Sequence, residues 1–148
     1  MKTKDLIARA HISITVPADK VWQALTDPQL IKEYMFGTTV TSNWAKGSDI
    51  IWAGEWNGKK YEDKGKILDI VPSEKLSYSH YSPMSGLPDE PASYHTVTIQ
   101  LQPLKDNTGV TLTQNNNHSE KEQKESEKNW NAMLEGLKKL LERKVEGK

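Results

Sequence analysis

The stretch that most constrains this chain runs from Ser119 to Val145. It opens with Ser119-Glu120-Lys121-Glu122, a Ser-x-x-Glu pattern in which the serine accepts from a first-turn amide and the glutamate reaches back. Trp130, Met133, Leu134, Leu137, Leu140 and Leu141 then recur at the spacing of one face of an α-helix. No proline interrupts the run. Glu120 and Glu122 sit early and Lys138, Lys139, Arg143 and Lys144 late, which complements the helix dipole. At about 1.5 Å per residue this predicts roughly 37 Å of helix, whose apolar stripe has to rest on another layer. Extended backwards, the stripe reaches Ser126 and Gln123. The inward face is therefore apolar in its second half and polar in its first. Either the first turns overhang into water, or they border a partly hydrated cavity.

At 148 residues the chain predicts one domain, 1–148, burying about two-thirds of its unfolded surface. Twenty basic and twenty acidic residues cancel, which argues against a nucleic-acid partner. The absence of cysteine removes disulfides, thiolate zinc sites and cysteine nucleophiles, and fits a reducing compartment. Met1 to Asp5 leads into an alternating segment rather than an apolar signal core, and no run is long enough to span a bilayer. The expectation is a soluble, cytoplasmic protein with no membrane insertion.

Most of the preceding chain reads as strands. Leu6 to Val16 alternates, with Leu6, Ala8, Ala10, Ile12, Ile14 and Val16 on one face and His11 on the other. Pro17 suits a first helical turn; Val21, Trp22 and Leu25 give that helix an apolar side, and Asp27-Pro28 stops it. Leu30, Ile31, Tyr34 and Met35 predict a second short helix closing at Phe36-Gly37. Val40–Trp44 and Asp49–Trp56 follow as strands, the latter with Ile50, Trp52 and Trp56 on one face, before the hairpin signal Asn57-Gly58. Tyr61 to Val71 breaks its alternation around Ile67 and Leu68, which a bulge would reconcile, with the register left open. Pro72 to Lys75 reads as a turn, and Leu76–Tyr81, Ser93–Leu101 and Thr108–Gln114 complete the sheet. Asn115 to His118 simply leads into the final helix.

Three segments carry a family resemblance. VPADKVWQALTDP (Val16 to Pro28), KGKILDIVPSEKLSYS (Lys64 to Ser79) and NWNAMLEGLKKLLE (Asn129 to Glu142) resemble, in order and spacing, the homologues of the heat-shock-protein-90 ATPase activator. Together they cover nearly the whole chain. The resemblance implies an α+β helix-grip fold of the START and birch-pollen-allergen superfamily. In it, a curved antiparallel sheet wraps a long C-terminal helix, with two short helices after the first strand. Many relatives have a tryptophan where this chain has Tyr34-Met35-Phe36, at the end of the cavity, which leaves ligand choice open.

The family's hairpin order also pairs strands. Leu76 is set against Ile99, Tyr78 against Val97 and His80 against His95. Across the next hairpin, Val110 is set against Ile99, Leu112 against Val97 and Gln114 against His95. Opposed residues share a face. The inner face then holds an apolar row, a mixed row (Tyr78, Val97, Leu112) and a polar row (His80, His95, Gln114) near Gln123 and Ser126. That arrangement either forms a cavity mouth above an apolar floor or is a satisfied polar network.

Little chemistry is announced. Metal binding lacks a third good ligand, so neither metal nor cofactor is expected. Ser79 and Ser93 alternate away from the histidines, which argues against a triad. General acid-base work by His80 or His95 fits histidine chemistry, but no catalytic signature stands in the sequence, and catalysis is not the leading expectation. Glu120 to Lys128 reads as a solvated face. The leading expectation is a module binding a small apolar, aromatic or lipid-like molecule between sheet and helix. Trp52, Trp56, Tyr78, His80, His95, Val97, Leu112 and Gln114 would line it from the sheet, Trp130, Met133 and Leu137 from the helix, and Tyr34 and Met35 near the lid. The alternatives are a chaperone-ATPase-modulating interaction protein, or a cyclase or hydrolase of a small aromatic substrate. The oligomeric state is left open.

Overall fold

The computed structural model describes residues 6–35, 37–56, 58–83, 86, 88–117 and 119–146. Phe36, Asn57 and the side chains of Trp56, Arg143 and Lys144 lie outside the described residues. The chain runs β1 (Leu6–Ile14), α1 (Ala18–Thr26), α2 (Pro28–Tyr34), β2 (Thr39–Ser42), β3 (Asp49–Trp56), β4 (Lys59–Val71), β5 (Lys75–His80), β6 (His95–Pro103), β7 (Thr108–Asn117) and α3 (Glu120–Glu146). The strands form one antiparallel sheet in the order β1-β7-β6-β5-β4-β3-β2. The sheet is open and curves around the long C-terminal helix, and α1 and α2 close one end. This is the helix-grip architecture.

Local chemistry sets the boundaries. Asp27 ends α1 in extended backbone and caps α2, its Oδ1 accepting from the Gln29 amide at 2.9 Å. Gly37, at φ +86°, turns the chain out of α2, and its amide donates to the Lys32 carbonyl. Ser119 caps α3 by accepting from the Glu122 amide at 3.1 Å. β3 and β4 pair from Trp56↔Lys59 around Gly58, at φ +79°, as a two-residue hairpin requires. The bulge in β4 falls between Ile67 and Asp69, which leaves Leu68 on the solvent side, 41% exposed.

Several expected boundaries shift. β1 ends at Ile14, where the Val16 amide turns back to the Ile14 carbonyl. Ser93 lies in a 3-10 turn, Pro91–Ser93, ahead of β6. β7 continues to Asn117 because its three asparagines are bonded into the fold. Asn115 Oδ1 accepts from the Thr96 amide, Asn116 donates to the Ala92 and Tyr94 carbonyls, and Asn117 donates to those of Leu6 and Gln114.

One core holds these elements together. Met133, Leu134, Leu137, Leu140 and Leu141 of α3 are buried against inner-face residues from every strand, among them Ile14, Val40, Ile50, Ile67, Leu76, Val97 and Leu112. Val21, Ala24 and Leu25 of α1 and Ile31 and Tyr34 of α2 complete it. Among the described residues no helix is long and apolar enough to cross a membrane.

Candidate functional site

Register places the site. Pairing of β3 with β4 sets Trp52 opposite Asp63 and Gly54 opposite Tyr61. Pairing of β5 with β6 sets Tyr78 opposite Val97 and His80 opposite His95, as expected from the hairpin order. Alternation from buried Ile67 and Leu76 then turns Tyr61, Asp63, Tyr78, His80 and Ser82 toward the inside of the curved sheet. Facing them are Trp130 of α3 and, beyond α2, Met35 and Thr38. Together with Trp52 and Glu55 these residues line a cavity of about 350 Å³.

The cavity has an aromatic wall and a polar corner. The Trp52 and Tyr78 rings lie 5.0 Å apart, tilted, and the His80 ring meets Trp52 edge-on at 5.0 Å. Trp130 is held by its indole N–H, which donates to Gln114 Oε1 at 2.6 Å. Burial pushes the Tyr78 phenol well above its ordinary range, so it stays neutral. At the corner, His80 Nε2 lies 3.0 Å from Asp63 Oδ2. The other Asp63 oxygen, Oδ1, is buried and meets no donor among the described residues. The Thr38 and Tyr61 hydroxyls bond each other at 2.6 Å. The carboxyl groups of the lining belong to Glu55 and Asp63, and no lysine or arginine lies among the lining residues.

Of the residues expected to line a pocket, Met35, Trp52, Tyr78, His80 and Trp130 come together here. Others lie elsewhere. Tyr34 and Met133 border a separate space of about 30 Å³ behind Met35, Trp52 and Tyr78, room for about a single water. The Tyr34 hydroxyl donates to the Ala24 carbonyl, and burial raises its phenol too. Val97, Leu112 and Leu137 are fully buried packing residues that do not reach the cavity. The Trp56 side chain lies outside the described residues.

The expected polar row forms only in part: His80 pairs with His95, but Gln114 does not join them. Gln114 pairs with Val97, Leu112 with Ile99 and Val110 with Leu101, each two residues from the expected partner. The reason is the β6–β7 turn: Pro103 pairs with Thr108 and the Leu104 amide donates to the Asn107 carbonyl, which centres the turn on Lys105-Asp106, one position later than the expected register requires. Gln114 is spent on Trp130, Asn117 and Ser126 in a satisfied buried network. His95, opposite His80, is not among the cavity's lining residues, its Nδ1–H donating to the Asn115 carbonyl at 2.9 Å. The polar start of α3 therefore does not line this cavity; Glu120, Gln123, Lys124 and Glu127 border a separate surface groove against Leu6, Ile7 and Arg9. The opening lies to the other side, toward β3, β4 and β5.

Asp63, Tyr61, Glu55, Thr38 and Ser82 were not anticipated. A signal for Asp63 and Tyr61 existed: Asn57-Gly58 fixes a two-residue hairpin, and counting back from it sets Asp63 beside Trp52. Among the described residues no group of three or more His, Asp or Glu side chains could hold a metal ion.

The chain matches the family model described as "Activator of Hsp90 ATPase homolog 1-like protein" over residues 15–142. It belongs to that family. The solution structure of ChR145 from Cytophaga hutchinsonii is 59% identical, with a TM-score of 0.86 and 99% of both chains covered. Protein NE0264 from Nitrosomonas europaea is 21% identical at a TM-score of 0.76, covering 95% of this chain and 96% of that one. The Aha1 dimer from Colwellia psychrerythraea is 21% identical at 0.70, covering 94% and 96%. The last two are likenesses of fold alone. No curated protein sequence matches the chain.

Proposed function

We propose that this protein binds an apolar, aromatic small molecule in the cavity between β3–β5 and α3. The observation that carries this reading is the cavity itself: about 350 Å³, walled by Trp52, Tyr78 and Trp130, with a few polar groups at one corner. Ligand sites combine mostly apolar walls with a small number of placed polar groups, and this volume falls in their lower range. Aromatic rings around such a space favour a flat partner.

Titration with naphthalene, followed by amide and indole N–H shifts, tests it. The Trp52 and Trp130 indole signals are expected to move, and Ser82→Trp, which fills the mouth, to weaken binding tenfold or more. Signals that stay still up to saturation, or undiminished binding by Ser82→Trp, would remove the reading.

The family description favours a second role, modulation of a chaperone ATPase. Unchanged ATP turnover by Hsp90 in the presence of excess protein would dismiss it.

A further inference from the structure

We propose that the ligand is a neutral aromatic molecule carrying a hydrogen-bond donor, such as a phenolic hydroxyl, and that His80 Nδ1, held by Asp63, accepts that hydrogen bond. This rests on the cavity being a ligand site and narrows the chemistry it takes.

The argument starts at Asp63. An ionised carboxylate only accepts, so the 3.0 Å contact to His80 requires the ring proton on Nε2. That N–H is the one donor Asp63 has among the described residues, since Oδ1 is buried without a partner. In the neutral ring, the form this proposal assigns to His80, the Nε2 proton leaves a lone pair at Nδ1. No described residue donates to Nδ1, and His80 itself lines the cavity. Trp52, packed on the ring edge, keeps the imidazole from turning away.

Charge narrows the choice. An anionic ligand would meet Glu55 and Asp63 with no lysine or arginine among the lining residues to offset them. A cation would need Asp63, yet Oδ2 is taken by His80 and Oδ1 is closed off from the cavity. Glu55 remains, but it is exposed at the rim and solvated. The Thr38 and Tyr61 hydroxyls are already bonded to each other. Beside the Tyr78 and Ser82 hydroxyls, which can donate or accept, the lining holds one pure acceptor on an imidazole, His80 Nδ1, and a neutral donor answers it.

Three naphthalenes of one shape test this: 2-naphthol, 2-methoxynaphthalene and 2-naphthoate, each titrated against the wild-type protein by NMR. The naphthol is expected to bind about fivefold to tenfold tighter than the methyl ether, the worth of one neutral hydrogen bond, and the naphthoate weakest. In His80→Phe the naphthol-to-ether ratio should fall to about one. In Asp63→Asn it should also fall, because an amide N–H can donate to Nε2 and move the ring proton to Nδ1. Long-range proton–nitrogen correlation on the wild type should show Nε2 protonated and Nδ1 bare. That readout, with Asp63→Asn, decides the matter should His80→Phe fail to fold. A ratio near one with binding intact, a ratio that survives His80→Phe, tightest binding by the naphthoate, or a proton on Nδ1 would overturn this inference and leave the cavity reading standing. Silence from all three compounds would take down both.

Discussion

Gly65 lies where the β4 backbone passes close against that of β5. A Cβ built there would stand 1.7 Å from the Ser79 carbonyl oxygen, and the Lys66 amide bonds the Ser79 hydroxyl at 2.9 Å. Between the pairs Ile67↔Tyr78 and Lys64↔Tyr81 the two backbones therefore pinch, one residue from His80 and two from Asp63. Backbone cannot swing aside as a rotamer can, so Gly65→Ala is expected to cost about 3 kcal/mol, the upper part of the range for overpacking. For a chain of this size that is a melting point lower by about 6–12 °C, read by a thermal melt. It should also move the His80 ring signals. A melting point within a degree or two of wild type would show that the pinch relaxes cheaply. His80 could be placed inside the sheet from alternation alone. Asp63 could not, because the broken alternation at Ile67 and Leu68 hid which face β4 turned inward.

At the scale of elements, α3 covers more than the core. β1 is an edge strand, and its outward backbone groups are met by helix side chains. Gln123 donates to the Ile7 carbonyl, Glu127 accepts from the Arg9 amide, Lys138 donates to the Ser13 carbonyl, and Glu142 accepts from the Thr15 amide and hydroxyl. Unpaired strand edges template association, and side-chain pairing closes this one. The Thr15 bonds, aided by Lys138 at 3.0 Å, hold the Glu142 carboxyl below its ordinary range. A carboxyl lowered in the folded state stabilises above its unfolded value, and the gain is lost as pH falls through the lowered one. Glu142→Gln should thus cost about 1 kcal/mol at neutral pH, allowing for partial exposure. The gap from wild type should close below roughly pH 4.3, as measured by denaturant melts across pH. A gap that persists at pH 2 would assign the cost to shape rather than charge. The leucine stripe was legible as a 3.6-residue period. The second use of the helix was not, because Glu127 in a Glu/Lys-rich run looks the same in sequence whether it faces water or a strand edge.

For the whole molecule, the order of elements was readable because it needs only the period of each segment, two-fold for strands and 3.6-fold for helices. The cavity's position was not, because it depends on registers that turn geometry sets two residues at a time. What period does predict is that the sheet cannot bury its concave face alone. Met133, Leu134, Leu137, Leu140 and Leu141 are all buried there. At about 1.5–3 kcal/mol for each buried side chain, five of them contribute roughly 8–15 kcal/mol, an upper estimate. That matches the whole net stability of a typical domain, about 5–15 kcal/mol. A chain ending at residue 118 would also leave Ile7, Arg9, Ser13 and Thr15 of the first strand and its exit without their helix partners. Such a chain is expected to be unfolded or aggregated, with collapsed amide dispersion and no cooperative thermal transition. If residues 1–118 instead gave a dispersed spectrum and a sharp melt, the sheet would hold its curvature without the helix, and the cavity would be a property of the strands alone.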